Sequence, residues 1–297
     1  MKLSYSSFAA AVLCIAILAG CSGSGRPLKT QTYTFNDSTS RADLSITLEL
    51  PESGAGTAGD IRSYLIDIMD SQLAYIASYE GKRLFPYYDG NRANIDAVIE
   101  YYRQNALDAL EFSAAADFEE RKSYILEDSD LSDERKAEIL KDIPRYEYDF
   151  NLTKEYEADR YVVFSSSDYA FLGGAHGGVT GAGSVTFDKR SGRLFKDFLK
   201  DGSLEEMQDL LVKGFARYFS ENDNSVTEEN VREYLFLESD EIPFPAWAPA
   251  PTEDGLRFTY QQYEIAAYAM GMPSFIIPYD EVEPFLTNDA KNLLNLK

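Results

Sequence analysis

The run Phe171-Leu172-Gly173-Gly174-Ala175-His176-Gly177-Gly178 stands past the middle of this 297-residue chain. It holds the only histidine, and four of its last six residues are glycine. Because glycine has no side chain and tolerates positive φ, the run predicts a sharp backbone turn or a close approach to another surface. The flanking segments 159–165 (DRYVVFS) and 183–188 (GSVTFD) have the composition of β-strands. We therefore expect a strand, a glycine loop and a second strand.

Alternation of apolar and polar residues predicts further strands on both sides of this loop. The period of two is clearest in residues 41–50 and 145–152, and residues 31–36 form an earlier strand, with the turn between the first two strands at residues 36–38. After the loop, residues 185–188 and 193–195 read as a hairpin in which Gly192 takes a positive φ. Residues 256–260 and 275–279 read as the last strands.

Apolar residues at helical spacing predict several helices between these strands. The first begins at Asp60, which can cap it, and ends near residue 79. Others are expected at about 94–112, 132–143, 227–234 and 280–286, while residues 113–131 have a helical composition without readable ends. Ser203 and Glu206 have the spacing of a capping box and predict a helix over about 204–219.

This order of elements indicates an α+β fold with an antiparallel sheet and helices packed on one face. The helix-rich residues 30–144 and the strand-rich residues 145–297 are expected to form two subdomains. Four prolines in residues 242–251 exclude a helix or a central strand around the only tryptophan, Trp247.

The first twenty residues have the pattern of a secretion signal, with Lys2 before an apolar segment and small residues at its end. The sequence Leu18-Ala19-Gly20-Cys21 matches a bacterial lipobox, in which Cys21 becomes the lipidated first residue of the mature chain. We therefore expect a signal peptide over 1–20, a flexible tether over 21–29 rich in Ser and Gly, and a lipoprotein of the bacterial cell envelope. The pattern fits a lipid anchor in the inner membrane or in the outer membrane.

The chain is strongly acidic, with 28 Lys and Arg against 50 Asp and Glu and a net charge of −22. Removal of the leader takes away Lys2 and leaves −23. A nucleic-acid partner would need a basic stripe, and the sequence has none. Cys14 leaves with the leader and Cys21 is acylated, so the predicted mature protein has no disulfide and no thiolate metal site.

Three segments together resemble a known family. They are residues 171–177 (FLGGAHG), 187–198 (FDKRSGRLFKDF) and 258–271 (FTYQQYEIAAYAMG). They resemble, in order and spacing, the uncharacterised extracytoplasmic domain of RsiV-type anti-sigma factors and PdaC-type peptidoglycan deacetylases. The resemblance covers about residues 145–287, and Ala267 stands where the family pattern commonly has proline.

The resemblance implies an α+β domain that faces cell-wall material. In RsiV-type proteins this domain binds lysozyme, and in PdaC-type proteins it accompanies a separate catalytic domain that has no counterpart in this sequence. It assigns no catalytic residue. A lipobox in place of a cytoplasmic sigma-binding segment argues against signalling through sigma-factor release.

The residues themselves give weak support for catalysis. Ser165, Ser166 and Ser167 lie near Asp168 and His176 in sequence, but no Gly-x-Ser-x-Gly turn occurs at these serines. One histidine and no thiols exclude the usual zinc ligand sets, and no calcium-loop spacing occurs, so we predict no metal and no cofactor. A pair of carboxylates for glycoside hydrolysis stays open, because their separation depends on the fold.

We predict a non-catalytic binding protein whose ligand is a lysozyme-like basic protein or a cell-wall glycan. The alternative is an envelope hydrolase that acts on peptidoglycan or polysaccharide.

Tyr260 and Tyr279, in strands, are expected in the core, whereas aromatic residues in loops are frequent interface anchors. For Glu264 we favour a carboxylate that fixes its loop by accepting backbone N–H bonds. The candidate ligand-binding residues are Gly174, His176, Trp247, Tyr263, Glu264 and Tyr268.

Overall fold

The computed structural model describes residues 26–78, 81–174, 178–221 and 223–296. Within these ranges the chain forms nine strands and six α-helices, which confirms the α+β class. The elements, in chain order, are β1 (Thr30–Ser38), β2 (Ala42–Pro51), α1 (Gly56–Leu73), α2 (Ile95–Glu127), α3 (Asp133–Lys141), β3 (Tyr146–Glu157), β4 (Tyr161–Phe171), β5 (Val179–Asp188), β6 (Leu194–Phe195), α4 (Gln208–Ser220), β7 (Ala250–Pro251), β8 (Gly255–Thr259), β9 (Ser274–Pro278), α5 (Tyr279–Val282) and α6 (Asn288–Leu294).

The larger sheet has the strand order β1-β2-β3-β4-β5-β6. All of its neighbours are antiparallel except β2 and β3, which pair in parallel from Ala42 opposite Tyr146 to Leu48 opposite Leu152. Parallel neighbours need a long crossover, and α1, α2 and α3 provide it. The sheet is therefore mostly antiparallel, as the sequence predicts.

The helices α1 and α2 pack on one face of this sheet, against β2 and β3. The alternating residues Leu44, Ile46, Leu48 and Leu50 of β2 are all buried under them. The buried residues of α2 end at Ala114 and α3 has none, so the residues of α2 after Ala114 and the whole of α3 contribute no buried side chain to this core.

The second, smaller sheet has the order β7-β8-β9 and is covered by α4. Gly214 of α4 allows this contact, because a Cβ at Gly214 would stand 2.2 Å from Cδ2 of Phe275 on β9. Phe215 of α4 is fully buried and its ring lies 4.8 Å from that of Tyr260. Aromatic packing thus holds the helix on the sheet.

The two hydrophobic cores meet at β4. Val162 and Phe164 point into the core under α1 and α2, whereas Tyr161 and Val163 point into the core with α4, because successive side chains leave a strand on opposite faces. The larger sheet uses strands from both sides of the boundary predicted at residues 144/145. The pairing of β2 with β3 is the reason: it places the first strands in the same sheet as β4 and β5.

Several predicted ends of elements move. The strand β1 continues through Ser38, so the turn lies at residues 39–41 rather than 36–38. Helix α1 begins at Gly56 instead of Asp60, and α2 runs on to Glu127, through the segment whose ends the sequence did not show. Gly192 has a φ of 70°, as the predicted hairpin requires.

The predicted capping box at Ser203 is wrong. Helix α4 begins at Gln208, four residues later than expected, and has no side-chain cap. Ser203 is buried, and its Oγ has no hydrogen-bond partner among the described residues. Its carbonyl oxygen accepts from the backbone N–H of Met207. Burial of Ser203 turns its hydroxyl into the protein and away from the free N–H groups that a cap would bind.

Candidate functional site

The glycine run begins with a turn at the end of β4. Gly173 has a φ of 72°, a conformation that favours glycine, and a Cβ there would stand 3.2 Å from Nη2 of Arg121. Gly174 is exposed, and nothing lies within 4 Å of the position of its missing Cβ. Residues 175–177, with His176, lie outside the described residues, and the predicted role of His176 stays a prediction.

The segment 260–271 brings two of the candidate tyrosines to the start of β5. The hydroxyl of Tyr268 donates to the carbonyl oxygen of Gly178 at 2.8 Å. The rings of Tyr263 and Tyr268 lie 5.7 Å apart. Tyr263 is 60% exposed and has a φ of 64°, in the left-handed region that side chains other than glycine rarely adopt.

Tyr260 anchors this segment in the core that contains α4, which we call the second core. The sequence predicts this burial. Its side chain is fully buried, and its hydroxyl donates to the carbonyl oxygen of Pro243 at 2.9 Å. Burial, with a smaller contribution from the negative charge of Glu264, raises the pKa of Tyr260. Tyr260 is therefore a neutral anchor at physiological pH.

Two glutamines tie the segment to the outer edge of β5. The backbone N–H of Thr180 donates to Oε1 of Gln262 at 3.1 Å, and that of Ala182 donates to Oε1 of Gln261 at 3.1 Å. Nε2 of Gln261 returns a bond to the carbonyl oxygen of Ala182 at 2.5 Å. The side-chain amides replace a neighbouring strand, because β6 pairs only with residues 186 and 187 of β5.

Sequence reasoning did not pick out Gln261 or Gln262. The pair Gln261-Gln262 between Tyr260 and Tyr263 was visible in the segment 258–271, but nothing local in the sequence shows that β5 has a free edge there.

Glu264 joins this segment to the proline-rich segment around Trp247. Its Oε2 accepts from the backbone N–H of Gln261 and its Oε1 from that of Ala246, each at 2.6 Å. Both carboxylate oxygens therefore hold backbone, which is the arrangement that the sequence favours for Glu264. In this arrangement Glu264 positions the loops.

Trp247 lies on β5 farther along the strand. A Cβ at Gly183 would stand 3.1 Å from Cε3 of Trp247 and 3.3 Å from its Cζ3, so the indole rests on the bare backbone of Gly183. Trp247 is 41% exposed. Trp247 and Tyr268 thus both contact the chain around β5, Trp247 at Gly183 and Tyr268 at Gly178, just before the strand.

Phe236 is bonded to the segment 260–271 through its backbone. Its backbone N–H donates to the carbonyl oxygen of Ile265 at 2.7 Å, and its ring is 58% exposed. We call the four residues Phe236, Trp247, Tyr263 and Tyr268 the aromatic edge. Three of them are candidates that the sequence predicts. The rings of Tyr263 and Tyr268 are in contact, and Trp247 follows Ala246, whose N–H donates to Glu264.

The chain next to Phe236 is acidic. Residues 221–241 carry the carboxyl groups of Glu221, Asp223, Glu228, Glu229, Glu233, Glu238, Asp240 and Glu241 against a single cation, Arg232. The Arg232 guanidinium donates to Oε1 of Gln208 at 3.2 Å and to the carbonyl oxygen of Asp240 at 2.5 Å. A shallow depression of about 830 Å³ is lined by Arg232, Glu233, Leu235, Leu237, Glu238, Ser239 and Asp240.

Two absences among the described residues concern metal sites and membrane-spanning helices. No group of three or more His, Cys, Asp or Glu side chains in that part of the chain is placed to hold a metal ion. No helix there is both long enough and apolar enough to span a bilayer. Cys21 and the predicted leader lie outside the described residues, so lipidation stays a prediction.

Comparison with known proteins gives a fold and, for part of the chain, a match to a family of unknown function. Residues 196–280 match the model of DUF3298, a protein of unknown function. A crystal structure of a DUF3298 member from Bacteroides fragilis aligns with a TM-score of 0.64 at 18% identity, over 91% of this chain and 97% of the other. A DUF3298 structure from Pseudomonas aeruginosa PAO1 aligns with a TM-score of 0.52 at 16% identity, over 89% and 97%. No curated protein sequence matches the chain. At these identities the structural likeness shows the fold alone.

Proposed function

We propose that this chain is a non-catalytic binding protein of a bacterial cell envelope, and that the aromatic edge binds a basic protein ligand of the lysozyme type. The resemblance to RsiV-type ectodomains suggests that ligand class. The chain's own residues support it through three features, which are a strained exposed tyrosine, a rigid support beneath it and an acidic surface beside it.

The conformation of Tyr263 is the observation that carries the proposal. A residue other than glycine in the left-handed region costs about 1–3 kcal/mol, and such strain concentrates at functional sites. Tyr263 is also 60% exposed, so burial of its own ring does not offset that cost. Tyrosine is one of the residues enriched among those that dominate binding at protein interfaces.

The support beneath Tyr263 is rigid. Gln261 bonds to β5, Glu264 bonds to two loops, and Tyr268 bonds to Gly178. A surface that is already ordered loses little conformational entropy on binding, which favours affinity.

Charge favours a basic partner over a neutral one. The acidic segment 221–241 adjoins Phe236, and the whole chain carries a net charge of −22. Such a field attracts cationic proteins at a distance and raises their association rate, more strongly at low ionic strength. A cell-wall glycan, which could stack on the same aromatic rings, gains nothing from this field.

The tether and anchor complete the proposal. A lipid on Cys21 followed by residues 22–29 would place β1, which begins at Thr30, close to the membrane surface. We place the protein in the cell envelope, attached to the inner or the outer membrane on an extracytoplasmic side.

Binding of the full chain to lysozyme and to insoluble peptidoglycan tests this proposal. We expect saturable binding of lysozyme that weakens as salt increases, and loss of that binding in Tyr263→Ala. The matched control is Tyr124→Ala, because Tyr124 is 68% exposed on α2.

Three results would contradict the proposal. They are absence of lysozyme binding, equal losses in the two tyrosine variants, and release of soluble sugar from peptidoglycan by the purified chain. The last result would support the hydrolase alternative, and binding of peptidoglycan alone would replace the protein ligand with a glycan.

A further inference from the structure

Two glycines of β5 lie on the face of the larger sheet that the helices cover. Gly181 and Gly183 share this face with the buried residues Val185 and Phe187, because alternate residues of a strand point the same way. Across the strand pair, Gly181 stands opposite Asp168 on β4. Glycine within a strand marks a place where another group approaches the backbone closely.

At Gly181 the approaching group is the carboxylate of Asp168. A Cβ at Gly181 would stand 2.5 Å from Oδ1 of Asp168 and 3.5 Å from its Oδ2. No described residue donates a hydrogen bond to this carboxylate or forms an ion pair with it. Its charge helps to raise the pKa of the buried Tyr148, after the larger effect of burial, and burial raises the pKa of Asp168 itself.

At Gly183 the approaching group is the indole of Trp247. Three ring atoms, Cε3, Cζ3 and Cδ2, would lie 3.1, 3.3 and 3.4 Å from a Cβ on Gly183. Residues two apart in a strand are about 7 Å apart. A half-buried carboxylate without a described partner and a partly exposed indole are therefore neighbours on one strip of bare strand.

We propose that Asp168 and Trp247 form a site for one cationic side chain, a lysine or an arginine of a polypeptide ligand. The carboxylate supplies the countercharge, and the indole packs against the methylene stem. Lysine and arginine have this division, with an apolar stem and a charged end. The identity of the ligand as a basic protein rests on the proposed function, but the site itself rests on the geometry.

The chemistry of the two groups excludes simpler occupants. An anion would be repelled by Asp168, and a neutral apolar group would bury a charge that has no partner, which is costly. A metal ion would find a single carboxylate. A cation with an apolar stem satisfies both groups, and it removes the penalty of leaving the carboxylate half-buried and unpaired.

All tryptophan fluorescence of the chain comes from this site, because Trp247 is the only tryptophan. We would titrate the full chain with Nα-acetyl-arginine amide and, separately, with Nα-acetyl-citrulline amide, which has nearly the same shape without the charge. The expected result is a saturable fluorescence change with the arginine compound, and binding weaker by about tenfold or more for the citrulline compound.

Asp168→Asn should weaken binding of the arginine compound by a similar factor. The matched control is Asp149→Asn, a loss of the same charge on the opposite face of the sheet, from the neighbouring strand β3. The second variant is Gly181→Ala. The methyl group of the alanine would displace the Asp168 carboxylate, while the side chains of Asp168 and Trp247 themselves stay unchanged.

Equal binding of the two compounds, or equal effects of Asp168→Asn and Asp149→Asn, would overturn the cation site. Absence of any saturable change would do the same. These outcomes are independent of lysozyme binding, so the cation site and the proposed function can fail separately.

Discussion

Replacement of Glu264 by glutamine should loosen the aromatic edge. The carboxylate accepts hydrogen bonds from the backbone N–H groups of Gln261 and Ala246, each at 2.6 Å, and these two residues are 15 positions apart in sequence. A glutamine side chain has one oxygen, so it can accept one of these bonds, and its NH₂ group would face the other N–H. The change removes one link and leaves a backbone donor without a partner.

The size of the effect follows from the bonds that are lost. A hydrogen bond to a charged group contributes about 1.5–3 kcal/mol, and the unpaired donor adds a desolvation cost that is smaller at the exposed Ala246 than at the half-buried Gln261. The bond that remains also loses its charge assistance. Glu264 is partly exposed, so water reduces these costs, and we expect the free energy of unfolding to fall by about 2–3 kcal/mol.

Two measurements would check this prediction. Urea unfolding followed by circular dichroism gives the change in stability, and quenching of Trp247 fluorescence by acrylamide reports whether the segment around Ala246 has become mobile. Glu241→Gln is the matched control, because Glu241 is exposed and lies in the same acidic region. If Glu264→Gln unfolds within about 0.5 kcal/mol of the unchanged chain, with the same quenching, the idea that Glu264 joins the two loops is wrong.

Two further predictions concern the contact between the sheets and the second core. Glu155 on β3 binds the Arg257 guanidinium on β8, which also donates to Ser184 Oγ at 2.8 Å, so Glu155→Gln should lower the free energy of unfolding by about 1–2 kcal/mol in urea unfolding at pH 7. Arg257 lowers the pKa of Glu155, so this contribution should disappear as the pH falls through the acid range, and a difference that persists below about pH 3 would contradict it. Burial raises the pKa of Tyr279 to about 12, and its hydroxyl donates to the carbonyl oxygen of Thr252 at 2.8 Å. The folded chain therefore holds this proton more tightly than the unfolded chain, so the free energy of unfolding should fall as the pH rises from about 10 to about 12. The fall should be less steep in Tyr279→Phe. Equal slopes of the free energy of unfolding against pH in the two proteins would refute this assignment.

Much of the sheet could be predicted because one face of each strand is buried. Leu44, Ile46, Leu48 and Leu50 alternate with polar residues, and this pattern identifies β2 and its inward face without knowledge of its neighbours. The pairing partner could not be predicted. That β2 lies beside β3, 100 residues away, depends on where α1 and α2 pack, and this long-range choice has no local signal.

Local signals also failed where burial overrides them. Ser203 and Glu206 have the spacing of a capping box, but the side chain of Ser203 is buried and the helix begins later. Conversely, residues 113–131 contain no strong stop signal, which agrees with the single long helix that passes through most of them. At Ser203 tertiary packing overrides the local signal for a helix start, whereas in residues 113–131 nothing opposes the helical propensity.

The candidate site could be predicted as a set of aromatic residues but not as an arrangement. Trp247, Tyr263 and Tyr268 stood out because they are amphipathic rings in segments near proline or glycine. Gln261 did not, and Asp168 drew attention only as a neighbour of serines and His176, because the roles of both depend on β5, one through its free edge and the other through the missing side chain of Gly181. The left-handed conformation of Tyr263 likewise has no signal in the residue itself.

We infer that Tyr263 keeps its unfavourable conformation because its exposed ring binds a ligand. Tyr263→Gly separates strain from binding, because glycine adopts a φ of 64° without cost and lacks the ring. Relief of about 1 kcal/mol of strain offsets the greater freedom of glycine in the unfolded chain, so the free energy of unfolding should be unchanged or higher.

The most direct measurement is the affinity of Tyr263→Gly for lysozyme, taken together with its free energy of unfolding. We expect the affinity to fall by about tenfold or more while the free energy of unfolding is kept. An affinity equal to that of the unchanged chain, or a loss of affinity that is matched by a loss of stability, would contradict it.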